Sequence, residues 1–510
     1  MRPFIEEIAA PVAPEALIER LREEPYCVLL RGGLTSHAQG RYSFVTARPF
    51  LVFRSFSSRC ELRSGQHTDV RFGNPWRVLD ELIARYELLD ELDLPFPLGG
   101  CFGFWGYDLK HFVEPRLARR AVNDLELPDC QVGFYDSLVV FDHRLGKTWI
   151  ISTGLQLDGS RAESHARRQA DFWRAILTDS EAMNRSAFES TDLAEVRRPS
   201  SNDGDGAPAP RKPPRISSNL TRAEFIAAVE RAQRYIRAGD IYQVNLAQRL
   251  TAPSQTTAWN FYQRLAEASP APYAAYLNFG DFQLSSSSPE LFLRLSGQHI
   301  LTRPIKGTRP RSDDPDRDAQ LTYELMTSPK EMSELVMITD LLRNDLGRVC
   351  EYGSIQVPEL VKLERYQHVQ HLVSTVEGRL RDDVTHFAAL SACFPGGSIT
   401  GAPKIRAMEI IDELEPTTRG PYTGCLGYLG FNRESQLSIA IRVAIHRDQS
   451  VHFYAGAGIV ADSVAAAEYD ETLAKAGGFL GALALPAQPE YPSNQRRHSL
   501  RLPAGLDSDL

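Results

Sequence analysis

The chain has 510 residues, 43% hydrophobic and 24% charged, a balance that excludes a disordered or fibrous protein and leaves room for several domains or one large composite domain. Its net charge of −8 and pI near 5.9 argue against a nucleic-acid binder. Clustered arginines in so acidic a chain are expected to serve a small anion.

The N-terminal MRPFIEEIAAPVAPEALIERL carries two early glutamates and no continuous apolar stretch, unlike a secretory signal. Strand-like runs follow at YCVLL, YSFVTARPFLVF, GFYDSLVVFDH and TWIIST, with helical patterns at about 76–90 and 160–184. The glycine-rich GGCFGFWGYDL (99–109) lacks phosphate-loop spacing and reads as a strand edge with close backbone approach. RRPSSNDGDGAPAPRKPPRISSN (197–219) has almost nothing to bury and reads as a flexible linker. A helix then opens at TRAEFIAAVERAQRYIRAG, with Thr221 and Glu224 as its capping box and Gly239 as its stop.

Further strands are expected at YAAYLNF, LFLRL, HILTRPI, LSIAIRVAIHR and VHFYAGAGIV, and helices at about 318–345, 403–415 and 464–483. The stretch from Pro486 reads as a disordered tail. Strands that come in groups predict an α+β protein with large, mostly antiparallel sheets. The chain thus divides into an N-terminal β-rich region (1–185) packed onto a catalytic core, a linker (186–219), the catalytic region (220–485) and a tail (486–510). Seven scattered cysteines without CxxC spacing predict reduced thiols. With no apolar run long enough for a membrane, a cytoplasmic protein without membrane partners is expected.

Chemistry gathers after the linker. Glu331 and Glu334 stand three apart on one helix face, and Glu468 and Glu471 repeat the spacing, with Lys475 one turn beyond. Each pair alone would be a solvated face. Converging, the four would need a cation, and all-oxygen ligation favours Mg²⁺. PGGSITGAPKIRAMEIIDEL enters a helix at Ala402-Pro403, whose free N–H groups suit a carboxylate. Gly456 and Gly458 permit close backbone approach. Arg442, in the middle of an apolar strand, needs an anionic partner, either a side chain or a substrate carboxylate. TRPIKGTRPR (302–311) leaves Lys306 open to three readings: a solvated loop lysine, a phosphate patch with Arg303, Arg309 and Arg311, or a nucleophilic amine.

PIKGT, KEMSELVMITDLLRNDLGR, HLVSTVEG, PGGSITGAPKIRAMEIIDELE, RGPYTGCLGYLGF, AIRVA and AGAGIVADSVAAAEYDET together resemble the chorismate-utilising enzymes, closely over about 220–485 and loosely before that. The resemblance implies sheets packed face to face with helices outside. It implies chorismate as substrate and Mg²⁺ held by Glu334 and Glu471, with Glu331 and Glu468 in or near its shell. The ring carboxylate would meet the metal and the N–H groups of Gly307 and Thr308, and the enolpyruvyl carboxylate Arg442, Tyr422 and the Gly456–Gly458 backbone. His371 and Thr400 would line the ring, Lys475 and Gln243 would join the substrate-binding set, and Glu290 would act as general acid.

Two positions choose among family branches. Water-adding members resemble one another in a lysine where GDIYQVNLAQ has Gln243, and glutamine is no general base. Anthranilate synthases resemble PIAGT at Lys306, whereas PIKGT is the pattern of aminodeoxychorismate synthases. This implies that the Lys306 amine adds at C2, the C4 hydroxyl leaves, and ammonia enters at C4 and expels the lysine. The amine must be neutral, which burial favours and the nearby glutamates oppose unless Mg²⁺ offsets them. TGCLGY (423–428) is a decoy for a glutaminase nucleophile elbow, and Cys425 reads as a small core residue, so ammonia is expected from a separate glutaminase subunit. LLRG (29–32) stands where tryptophan-inhibited anthranilate synthases resemble LLES, which argues against tryptophan feedback.

Overall fold

The computed structural model describes residues 2–8, 12–22, 24–33, 40–88, 94–178 and 216–484. The tail at 486–510 and the linker up to residue 215 lie outside the described residues. Past that point the linker reading fails: Ser217–Ser218 is a strand at a sheet edge, paired with Thr251 and Leu250.

The described strands form two 12-stranded sheets built from antiparallel pairs. Alternation along each strand decides what lies between them. Leu138 and Val140 of the strand Ser137–Asp142 point into a core that also holds Phe53, Phe102, Phe134, Leu293 and Leu437 of the opposite sheet. Val139 and Phe141, on the other face, pack with Leu17, Trp173 and Trp259 of three covering helices. The fold is therefore α+β, with sheets face to face and helices outside.

The N-terminal region is not a unit docked onto a finished core. It shares both sheets with the later chain: Val28–Arg31 pairs with Tyr273–Asn278, and Gly100–Trp105 with Cys425–Gly430. Gly100–Trp105 is thus an interior strand, buried along its length, rather than a strand edge. Its close backbone approach holds, because a Cβ at Gly103 would overlap the Gln131 carbonyl.

Several runs that read as one element are two. YSFVTARPFLVF splits into Tyr42–Thr46 and Leu51–Phe56, GFYDSLVVFDH into Cys130–Tyr135 and Ser137–Asp142, and LSIAIRVAIHR into Glu434–Ile439 and Val443–Arg447. In each case the two halves belong to different sheets, so the break is a corner where the chain crosses the core. A fourth crossing joins Gln283–Ser288 to Leu291–Ser296. The helix expected at 318–345 is Pro315–Met326 followed by Pro329–Gly347, the second capped by Ser328. That at 464–483 is Ala465–Lys475 and Gly477–Ala484. The capping box at Thr221 and Glu224 is present as expected. No helix of the described residues is long and apolar enough to cross a membrane.

One ion pair ties the loop after the helix Lys404–Leu414 to the strand Gln243–Pro253. Arg419, 1% exposed, reaches both oxygens of Glu415 at 2.6 and 2.8 Å and also the Asn245 carbonyl at 2.7 Å, while the Ala247 N–H donates to Glu415. Glu415→Ala would leave a buried guanidinium without its charge partner. Denaturant unfolding is expected to show a loss of about 3–5 kcal/mol.

Candidate active site

A cavity of about 470 Å³ opens between the ends of the two sheets, and the residues that carry chemistry reach it from corners, a bulge and two helices. Two of the sheet-crossing corners lie side by side. One carries Glu290 and the other Arg442. The Ile439 N–H donates to the Glu290 carbonyl at 3.0 Å, the Ser288 hydroxyl to the Ile439 carbonyl at 2.7 Å, and the Ser287 N–H to the Arg442 carbonyl at 3.0 Å. Arg442 itself adopts φ 49°, which turns the chain between sheets and aims its side chain into the cavity. It is therefore a corner residue and not, as its apolar neighbours suggest, the middle of a strand.

Glu290 is 6% exposed, and its Oε1 accepts from the Ser398 hydroxyl at 2.6 Å. Burial pushes its carboxyl up to about 7, against the opposing pull of Ser398, Lys306 and the Ile305 backbone. Near neutral pH it can therefore carry a proton. Arg442 is the reverse case: burial alone lowers its guanidinium, and among the described residues its partner is the Ser269 hydroxyl at 3.4 Å rather than a carboxylate. Of the two partners open to it from the sequence, an anionic side chain is not found among the described residues.

Within TRPIKGTRPR, Thr302 and Arg303 end the interior strand His299–Arg303, and Ile305–Pro310 is an edge strand rather than a loop, with Pro304 beside it and Pro310 at its end. It pairs with Val369–Arg379 through a bulge between Lys306 and Thr308. Gly307, at φ +72°, is the inserted residue, and a Cβ there would meet Leu325 at 2.8 Å and Glu331 at 3.2 Å. The bulge brings Lys306, Gly307 and Thr308 all to the cavity wall. Lys306 Nζ lies 3.7 Å from Glu334 Oε2, both side chains being largely buried. The phosphate-patch reading fails because Arg303, Arg309 and Arg311 are paired with Glu364, Glu331 and Asp318. Opposite the bulge, His371 shares a 2.9 Å hydrogen bond with Thr308, and burial together with Arg442 lowers it to about 4. It meets the cavity as a neutral ring.

Glu331 and Glu334 from Pro329–Gly347 and Glu468 and Glu471 from Ala465–Lys475 all line this one cavity. Burial raises the Glu334 carboxyl, Lys306 and Lys330 hold it down, and Glu331 and Glu471 push it further up. Glu468 accepts from Ser463 at 2.6 Å, and Lys475 bridges Glu471 at 2.7 Å and the Gly456 carbonyl at 2.9 Å. Among the described residues no three acidic, His or Cys side chains form a group that could hold a metal unaided. The four carboxylates are hard oxygen donors of the kind a divalent ion takes one or two at a time, with water and substrate completing the shell, although three of them are ion-paired within the protein, Glu331 with Arg309, Glu334 with Lys306 and Glu471 with Lys475.

Gly456 and Gly458 form the floor: a Cβ at either would come within 2.5 Å of Asn245 Oδ1 or Gln243 Nε2. Tyr422 joins them, stacked on Tyr454 at 5.1 Å. Gln243 sits behind the Gly458 backbone rather than on the wall. Thr400 is also off the wall, with its hydroxyl turned to the Gly396 and Gly397 carbonyls. The start of the helix Lys404–Leu414 does not reach the cavity either; the turn before it does, through Ser398 and Ile399. Ser398 and Asn245 are wall residues that the sequence reading leaves out. A polar residue between glycines and an amide inside an apolar strand are the signals that could have marked them. Cys425 lies fully buried in a strand, its thiol pushed well above the usual range, as expected of a core residue.

Comparison with known proteins shows the family. The family model for chorismate binding enzymes matches residues 37–481. Anthranilate synthase component 1 of Synechocystis is 39% identical over 492 residues, 94% of either chain. Aminodeoxychorismate synthase component 1 of Klebsiella aerogenes is 38% identical over 475 residues, 93% of this chain and 97% of that protein. The crystal structure of anthranilate synthase component I from Streptococcus pneumoniae aligns with a TM-score of 0.71 at 30% identity, covering 86% of this chain and 92% of that one. By the match along most of its length and by relatives of 38% and 39% identity that it covers almost fully, this chain belongs to the chorismate binding enzymes and acts on chorismate.

Proposed function

We propose that this chain is the synthase component of an aminodeoxychorismate synthase, which converts chorismate and ammonia to 4-amino-4-deoxychorismate and water. The observation that carries the reading is Lys306, turned by the Gly307 bulge into the cavity that Glu290 and Glu334 also face. Arg442 would neutralise the enolpyruvyl carboxylate over the Gly456–Gly458 backbone and Tyr422. The neutral Lys306 amine adds to C2, the ring double bonds shift, and the C4–O bond breaks with a proton from Glu290, releasing water. Ammonia adds at C4, the bonds shift back, and Lys306 leaves C2 as the free amine. The carboxylate of Glu290 takes the proton shed by the new C4 ammonium, which restores the acid.

Glu334 and Glu471 would hold Mg²⁺, with Glu331 and Glu468 beside it. When bound it would supply Lewis-acid polarisation of the ring carboxylate. Gln243, an amide without a basic lone pair, supports ammonia rather than water as the entering group. The buried Cys425 and the relatives' designation as component 1 support a separate glutaminase as the ammonia source, with the chain working in the cytoplasm. A second reading, anthranilate synthase, rests on relatives of that name at 37% and 39% identity.

One assay separates the two. The purified chain with chorismate, Mg²⁺ and ammonia is expected to give a product with the mass of 4-amino-4-deoxychorismate. Anthranilate would overturn the proposal. Glutamine should replace ammonia only when a glutaminase subunit is added. Glu334→Gln or Glu471→Gln should abolish turnover, and full activity in excess chelator would remove Mg²⁺ from the reading.

A further inference from the structure

We infer that Ser398 is a positioning residue for proton donation: its hydroxyl fixes the Glu290 carboxyl so that Oε1 accepts a hydrogen bond and Oε2 carries the proton. The inference rests on the reading of Glu290 as the acid. The Ser398 hydroxyl donates to Oε1 at 2.6 Å, so that oxygen is an acceptor and the proton of the neutral acid belongs on the other. Ser398 stands in the tight turn Gly397–Ile399, whose backbone is anchored by Thr400 bonding back to Gly396 and Gly397. The turn is held further by Lys404, which reaches Asp345 at 2.6 Å and the Cys393 carbonyl at 3.2 Å. A hydroxyl on so fixed a turn holds one rotamer of its partner.

The arrangement matters most when the proton leaves. As the C4–O bond breaks, the Oε2 proton passes to the departing oxygen and Glu290 becomes a carboxylate. The Ser398 O–H then donates to an anion and its bond strengthens, while the Ile305 backbone also favours the charged form. Ile305 adjoins Lys306, so the strand that carries the nucleophile also steadies the acid. Lys306 acts on Glu290 from this strand only while it bears its proton; as the neutral nucleophile it leaves burial and the Ser398 hydrogen bond as the main opposing influences on the acid. Arg442 from the neighbouring corner and the neutral His371 line the same cavity, and no carboxylate is among the groups that shift Glu290.

Ser398→Ala tests this through kcat for chorismate consumption across pH. Wild type should lose activity as pH rises through about 7, where Glu290 gives up its proton. Without the hydroxyl the carboxylate is less stabilised, so the alkaline limb should move to higher pH. The plateau kcat should fall roughly 10- to 100-fold, with KM for chorismate little changed. Ser398→Thr should restore both the limb and the rate. A limb that stays in place in Ser398→Ala overturns the inference, whether the rate falls or not, because a merely structural role would lower the rate without moving the limb. Glu290→Gln checks the underlying reading separately: if it keeps wild-type turnover, the acid assignment fails rather than the role of Ser398. The product formed at C2 or C4 bears on neither result.

Discussion

Lys306→Ala is expected to lose about 10³-fold or more in turnover while chorismate binds nearly as before. The carboxylate contacts proposed for the substrate lie on Arg442, Tyr422 and the glycine floor, so the lysine can go without removing them. Residual reaction should drift toward ammonia addition at C2, since the amine no longer occupies that face. The wild type should accumulate an adduct with the mass of chorismate less water on the peptide carrying Lys306. Rapid quench and peptide mass mapping read both outcomes. Formation of 4-amino-4-deoxychorismate by Lys306→Ala at the wild-type rate would show that the amine is not the nucleophile.

Arg442→Met should move activity and stability in opposite directions. The guanidinium is buried without a carboxylate, so the folded protein bears its desolvation uncompensated until an anion arrives. A methionine of similar length removes that strain, and the melting temperature of the free protein should rise. The same change strips the substrate's carboxylate of its counter-charge, worth about 2–5 kcal/mol, so kcat/KM should fall roughly 30- to 5,000-fold. Chorismate should also stabilise the wild type against heat more than the variant. A variant that melts lower yet binds chorismate normally would mean that Arg442 serves packing.

The chemistry of the site is more legible in the sequence than its framework. Glu331/Glu334 and Glu468/Glu471 declare themselves because their spacing and the face they share are local properties of a helix. The corner at Ala440–Arg442 is silent, because LSIAIRVAIHR alternates without a glycine or proline. What breaks it is pairing with Leu291–Ser296 on one side and Gln283–Ser288 on the other, both far away in the chain. Thr400 misleads for a related reason: a hydroxyl in a glycine-rich turn is as useful to the turn as to a ligand, and here the turn takes it. Lys306 shows the opposite error. Prolines and a glycine signal a loop, yet the prolines fall beside and at the end of an edge strand and the glycine is its bulge.

Each sheet has a single seam between the chain before residue 178 and the chain after 216: Leu30 against Ala275 in one, Gly103 against Gly427 in the other. Every residue lining the cavity lies beyond the second seam partner's side of that divide, from Asn245 to Phe479. The later half thus owns the entire cavity but, alone, would end both sheets in bare hydrogen-bonding edges above an apolar face. Such edges recruit other chains. The earlier half serves as an intramolecular guard for them. Cutting the backbone between Thr178 and Ile216 would break no strand pair among the described residues, so the two pieces, kept together, are expected to hold both sheets, whereas either piece alone is not.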